Sequence, residues 1–265
     1  MLRPRVLSAL VLIPLVALVV YLGGIWFASF AALVAALATR EFCLLARAVG
    51  ARPLMPVAIG LSVLLIFAGY VSWPLAAQGL FLFVLAGIMV WRVLRQNYDG
   101  FVFDWSSTLV GSAYVGGMLS HLVLLRALQQ GLVWVVLVLL TAWAGDTAAY
   151  FVGSAWGRRP FLPRVSPRKT IEGTVAGLAF GLVVATVIGV LFLRLGLPAA
   201  IGLGLLLVAA ITLGDPSESL IKRQAGAKDS GQLIPGHGGA LDRVDSLLFA
   251  GVVAYYFAAW IVRAT

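Results

Sequence analysis

Charge is scarce in this chain: 11% of its 265 residues are Asp, Glu, Lys or Arg, against roughly 25% in a soluble domain. That deficit excludes an ordinary water-soluble globule. Cysteine occurs once, as Cys43, so no internal disulfide can form, and its apolar neighbourhood makes it a buried filler. Internal repeats and low-complexity linkers are absent, so domain boundaries are soft.

What is abundant is apolar: 62% of the residues, with a mean hydropathy of +1.04. The chain reads as an integral membrane protein. Runs of about 17 to 25 apolar residues are the length of a membrane span, and they fall at residues 6–23, 25–45, 54–73, 75–95, 107–126, 131–153, 172–193, 197–214 and 246–262. Backbone groups in lipid must be paired within their own segment, so these runs are expected to be helices. The expectation is therefore an all-α polytopic protein of about nine transmembrane helices. The opening MLRPRVLSALVLIPLVALVVYLGG has the basic head of a signal peptide, but Val6 to Leu22 is long enough to span and reads as an uncleaved first helix. With the N-terminus cytoplasmic and the C-terminus outside, only Arg126, Arg194 and Arg263 of the 19 basic residues fall outside, as the positive-inside rule requires. The net charge of +9 is then an orientation signal and a fit to anionic lipid, and nucleic-acid binding is a poor account of it. Residues 1–126 form an N-terminal membrane part of about five helices. Residues 127–265 form a C-terminal part whose two long loops, 154–171 and 215–245, are placed inside; loops of that length usually carry function.

Seven of the 10 acidic residues, Asp146, Glu172, Asp215, Glu218, Asp229, Asp242 and Asp245, lie between 146 and 245, interleaved with bases. Carboxylates hold a hard cation while bases hold phosphates, the requirement of a Mg²⁺-nucleotide site; salt bridges at the membrane face are the plainer alternative. In LGDPSESLIKR, Asp215 can cap a helix whose first residue is Pro216 and whose reciprocal acid is Glu218, with Lys222 one turn on. The same order would also aim a short interfacial helix and its bases at an anion. In LDRVDS, Asp242 and Asp245 stack on one helical face beside Arg243, which invites either a cation between them or a cap plus an ion pair. PGHGG lets the backbone approach a ligand at Gly238 and Gly239, and His237 is either a phosphate donor or a turn residue. His121, on an apolar span, reads as a packing residue. AGDTAAYFVGSAWG sets Asp146 near the end of an apolar span, where an ionisable group is either paired with a base or functional. SPRKTIEG puts Ser166 and Pro167 in cap and first-turn positions, then Arg168, Lys169, Thr170 and Glu172. Gly173, Gly177 and Gly181 form a helix-packing stripe. All three lysines, Lys169, Lys222 and Lys228, fall in the two long loops, where a compact ammonium suits phosphate.

Taken together, Ser219, Lys222, Arg223, Lys228, Asp229, the run Pro235 to Gly239, Asp242, Arg243 and Asp245 resemble the signature of the phosphatidate cytidylyltransferases, the CDP-diacylglycerol synthases. SPRKTIEG and AGDTAAYFVG are similar to a second block of that family. The likeness is close in the C-terminal half; the N-terminal half agrees in hydropathy and length. The resemblance implies cytidylyl transfer from CTP to phosphatidate, giving CDP-diacylglycerol and pyrophosphate, in a Mg²⁺-dependent homodimer of the bacterial inner membrane with its site on the cytoplasmic side. It implies catalytic roles for Asp215, Lys222, Asp229, Asp242 and Asp245. Asp215 and Asp242, then Asp245 and Asp229, would hold Mg²⁺ or two bridged cations. Substrate contacts fall to Asp146, Ser166, Arg168, Lys169, Thr170, Glu172, Glu218, Ser219, Arg223, Lys228, His237, Gly238, Gly239 and Arg243. A CTP-dependent lipid kinase would use related parts on the γ-phosphorus. An ion-coupled transporter would show paired broken helices in two halves, whereas the polar residues here cluster on one face. The Asp-Gly-x-x-Ala-Arg core of alcohol phosphatidyltransferases is absent.

Overall fold

A computed structural model describes residues 3–96, 99–233 and 238–261. Helices dominate it. In chain order they are α1 (Arg3–Leu22), α2 (Gly24–Ala48), α3 (Met55–Tyr70), α4 (Pro74–Leu94), α5 (Phe101–Gly111), a π-helical turn at Ser112–Gly117, α6 (Met118–Ala127), α7 (Gly131–Trp156), α8 (Ile171–Leu191), α9 (Leu197–Gln224) and α10 (Leu241–Ile261). Among the described residues six helical stretches are long and apolar enough to cross a membrane, with two shorter apolar helices, Leu10–Leu22 and Met55–Tyr70. The all-helical polytopic expectation holds at that level.

The chain divides into two compact units. One comprises the residues up to Ala127 together with Gln224–Arg243, the other Leu128–Arg223 with the chain from Val244 onward.

In the first unit, Gly23 separates α1 from α2 with φ 63° and ψ −156°, a conformation open to glycine and strained for other residues. Arg126 closes that corner: its Nε donates to the Val20 carbonyl at 2.8 Å and its Nη2 to that of Tyr21 at 3.1 Å, pairing carbonyls that the end of α1 leaves unmatched. One face of α2, with Ala28, Ala31, Ala35, Ala38 and Phe42, is buried, and its small side chains let α3 come close. Where they meet, the fully buried Thr39 and Ser62 hydroxyls bond each other at 2.8 Å. Asp104 ties the other end of this unit, accepting from the Arg52 amide at 2.5 Å and from Arg92 at 2.8 Å. Cys43 is fully buried and His121 bonds the Gly117 carbonyl at 2.8 Å, both in the packing roles expected.

The second unit corrects two local expectations. The capping reading broke α9 at Asp215; the helix instead continues through Pro216 to Gln224, so the polar connection begins near residue 225 rather than 215. A helix-interior proline gives up one backbone bond. The cost is met by packing on both sides of it, since Ile211, Gly214, Glu218, Ser219 and Lys222 are all buried, and the Ser217 hydroxyl donates to the Leu213 carbonyl at 2.7 Å. Likewise Ser166 and Pro167 do not start a helix. Residues Ser166–Thr170 form strand β2, antiparallel to β1 (Pro160–Leu162), and Thr170 caps α8 by accepting from the Gly173 amide at 3.2 Å. Thr170 wins because its hydroxyl sits at the turn from extended backbone into helix.

Candidate active site

Helices α7 and α8 pack through two small-residue stripes, Gly145, Ala149 and Gly153 facing Gly173 and Gly177. A Cβ on Gly173 would lie 2.7 Å from the Ala149 carbonyl oxygen and 3.0 Å from the Gly153 Cα; one on Gly177 would lie 2.9 Å from the Gly145 carbonyl oxygen. The glycine stripe is thus the packing device that its spacing predicts. Small residues leave room as well as contact: a cavity of about 510 Å³ opens beside them. Asp146, Tyr150 and Ser154 of α7, Arg168, Lys169 and Thr170 of β2, and Val208 and Ile211 of α9 are on its wall. Such a volume suits a small ligand. Its polar lining sets Arg168 and Lys169 beside Asp146 and several hydroxyls, with Val208 and Ile211 on the apolar side.

Lys169 connects this cavity to a cluster of charges on α9. Its Nζ lies 2.6 Å from Asp215 Oδ2, both side chains one-third exposed. Asp215, Ser219 and Lys222 recur at intervals of three and four and so share one helical face with Glu218. Ser219 donates to Asp215 Oδ1 at 3.2 Å, and Lys222 Nζ bonds Glu218 Oε2 at 2.6 Å in a buried pair. Gly214 lets α10 approach, because a Cβ there would meet the Asp245 carbonyl oxygen and the Ser246 Cα at 2.7 Å. Asp245 consequently feels the charges of Asp215, Lys222 and Asp146. Two carboxylates brought together beside lysines repel unless a cation joins them. Arg223 is exposed and anchors the hairpin, its Nε donating to the Val165 carbonyl at 3.2 Å.

The first unit holds a separate polar node. Asp242 Oδ2 accepts from the Ser230 amide at 2.9 Å, the Ser230 hydroxyl at 2.9 Å and the Gly239 amide at 2.7 Å. Glu41 of α2, 4% exposed, accepts from the Ala240 and Leu241 amides at 3.0 and 2.8 Å and from the Ser230 hydroxyl at 3.0 Å. Gly238, at φ 85°, passes within reach of the Asp242 carboxylate, and Gly239 lies against Ser230 and Glu41. Lys228, Asp229 and Arg243 are exposed. His237 lies outside the described residues.

A model of the cytidylyltransferase family matches residues 3–261. The chain belongs to the cytidylyltransferase family. Curated phosphatidate cytidylyltransferases are among its relatives: that of Synechocystis sp. is 35% identical over 96% of this chain and 95% of the relative. That of Mycobacterium bovis is 33% identical over 94% and 83%, and that of Bacillus subtilis 37% identical over 67% and 66%. The likeness therefore extends through the N-terminal half, where the sequence offered only hydropathy and length.

In this cytidylyltransferase the sequence-derived candidates fall into three groups. Asp146, Arg168, Lys169 and Thr170 border the cavity. Asp215, Glu218, Ser219, Lys222 and Asp245 form the charged cluster joined to it by Lys169. Asp242, Gly238 and Gly239 belong to the loop node. Ser166 lies in β2, and Glu172 accepts from the Arg158 and Arg159 amides at 3.1 and 3.2 Å, holding the hairpin to α8. Among the described residues no three His, Cys, Asp or Glu side chains converge as a ready-made metal cage. Mg²⁺ asks for less, one or two carboxylates plus water and substrate phosphates, and the Asp215 and Asp245 pair meets that donor chemistry. Sequence reasoning passed over Glu41. The one available signal was an acid, next to Arg40, inside the apolar run 25–45, which marks a functional or paired residue by default.

Proposed function

We propose that this enzyme transfers a cytidylyl group from CTP to phosphatidate, forming CDP-diacylglycerol and pyrophosphate. The observation that carries the reading is the 510 Å³ cavity between apolar helices, rimmed by Arg168 and Lys169 and joined through Lys169 to the Asp215 cluster. A lipid phosphate and a water-borne triphosphate need adjoining sites of this kind, one among apolar helices and one among acids and bases. The named activity of the relatives supports the same reaction.

An oxygen of the phosphatidate phosphate attacks the α-phosphorus of CTP. The bond from that phosphorus to the β-bridging oxygen breaks, and pyrophosphate leaves. The nucleophile is already an anion, so the protein's work is alignment and charge neutralisation. Arg168 and Lys169 receive the lipid phosphate while Asp146 lines the approach. Lys222, Arg223, Lys228 and Arg243 hold the triphosphate and the departing pyrophosphate. Asp215, Asp242 and Asp245, with Asp229, are the carboxylates we assign to Mg²⁺, and Asp242 has one oxygen fixed by amide and hydroxyl donors, as metal-holding carboxylates commonly do. Bound Mg²⁺ supplies neutralisation of phosphate charge. Nine spans, a cytoplasmic N-terminus, a cytoplasmic-side site in the bacterial inner membrane and a homodimer complete the reading; the bias of basic residues supports the orientation.

Purified enzyme mixed with phosphatidate, Mg²⁺ and CTP labelled in the cytidine or at the γ-phosphorus tests it. Cytidine label should enter the lipid with release of pyrophosphate. Label entering the lipid from the γ-phosphorus alone would identify a lipid kinase and overturn the proposal.

A further inference from the structure

The node around Glu41 has a construction that a simple structural cap does not need. Helix α10 begins at Leu241, and the residue before it, Ala240, has no side-chain oxygen to serve the first amides. Those amides are taken instead by a carboxylate from α2, about 200 residues earlier: Ala240 N on Oε1 at 3.0 Å and Leu241 N on Oε2 at 2.8 Å. A negative group at a helix start is favoured by the helix dipole, which offsets part of the cost of burying Glu41. The same Oε2 is 3.0 Å from the Ser230 hydroxyl, and that hydroxyl is 2.9 Å from Asp242 Oδ2. One hydroxyl hydrogen cannot fully serve two carboxylates, so Ser230 couples them, and whatever fixes Glu41 biases Asp242. Gly231 and Gly239 close the arrangement. A side chain at Gly231 would meet Glu41 within 2.9 Å, and one at Gly239 would collide with Glu41 and Ser230.

We infer that Glu41 is a positioning residue for the nucleotide end of the reaction: it fixes the start of α10 and, through Ser230, the orientation of Asp242. The inference rests on the cytidylyl-transfer reading. Glu41 is 4% exposed and acts through Ser230 and Asp242. The cavity assigned to the lipid phosphate is built by α7, α8, α9 and β2, so loss of Glu41 acts on CTP and leaves lipid binding alone.

The test uses the full-length enzyme in detergent micelles as wild type, Glu41→Gln, Glu41→Asp and Ser230→Ala. Hydrogen exchange is followed without any substrate, and initial rates are taken with CTP and phosphatidate varied in turn. In Glu41→Gln an amide group faces donors that need an acceptor. Exchange across 228–243 should speed by about tenfold while α7 and α8 stay unchanged. kcat/KM for CTP should fall roughly 100-fold with KM for phosphatidate held within about twofold. Glu41→Asp keeps the charge one methylene short and should recover part of the loss; Ser230→Ala cuts only the link to Asp242 and should show a smaller loss of the same pattern. Unchanged exchange at 228–243, or a rise spread evenly over the chain with both substrates affected alike, overturns the inference. If Glu41→Gln gives no folded protein, Ser230→Ala decides on the same two readouts. Failure of the wild type to make any CDP-lipid condemns the reaction reading instead, and the exchange arm still judges Glu41.

Discussion

At the scale of single residues, Lys169 and Lys222 are held differently. Lys169 shares a part-exposed contact with Asp215, and Lys222 shares a buried one with Glu218. The part-exposed contact is open to exchange with solvent, and in the reaction proposed Asp215 would be one of the carboxylates that hold Mg²⁺. Asp215→Asn removes both the assigned cation ligand and the lysine's partner, and turnover is expected to drop at least about 100-fold with a higher Mg²⁺ requirement. Titrating Mg²⁺ against initial rate checks this; an unchanged Mg²⁺ profile would show that Asp215 holds no metal. The buried contact is structural in its energetics. Glu218→Ala removes the carboxylate 2.6 Å from the buried Lys222 Nζ, expected to cost roughly 3–5 kcal/mol. Glu218→Leu combined with Lys222→Met should restore most of the melting temperature without restoring activity. Thermal melts of both variants in the same detergent make the comparison.

At the scale of elements, most helices were legible because lipid leaves the backbone few alternatives, and the stripe from Gly173 to Gly181 gave their packing. The errors came where local chemistry has two readings. Asp215, Pro216 and Glu218 spell a helix start, yet burial on both sides of Pro216 carries α9 straight through. Ser166 and Pro167 spell another, and Thr170 takes the cap after a short strand. The tie from Glu41 to Leu241 could not be read from spacing, since nothing local links residues 200 apart. The α7 and α8 contact yields its own prediction. Gly173→Val would press side-chain atoms onto the Ala149 carbonyl and the Gly153 backbone, with a stability loss of about 1–3 kcal/mol and a larger KM for phosphatidate, because those helices also wall the cavity. Melting temperature and lipid kinetics measured on one preparation are the check.

At the scale of the whole molecule, the orientation assigned to the charged loop can be read with the chain's own chemistry. Cys43 is fully buried, so a thiol placed at an exposed position is the one that reacts with an impermeant reagent. Lys228→Cys should be labelled by a membrane-impermeant maleimide in inside-out vesicles and spared in right-side-out ones; the opposite pattern reverses the topology. The unit boundaries also bear on how the protein is made. Residues 224–243 belong to the same compact unit as the chain up to Ala127, and the amides that receive Glu41 lie about 200 residues behind it. At roughly 5–20 residues per second of synthesis, the carboxylate emerges on the order of 10 to 40 seconds before its partners. For that interval α2 carries an unanswered acid, and a ribosome that stalls before residue 240 leaves behind a chain in which Glu41 still waits for the amides of Ala240 and Leu241.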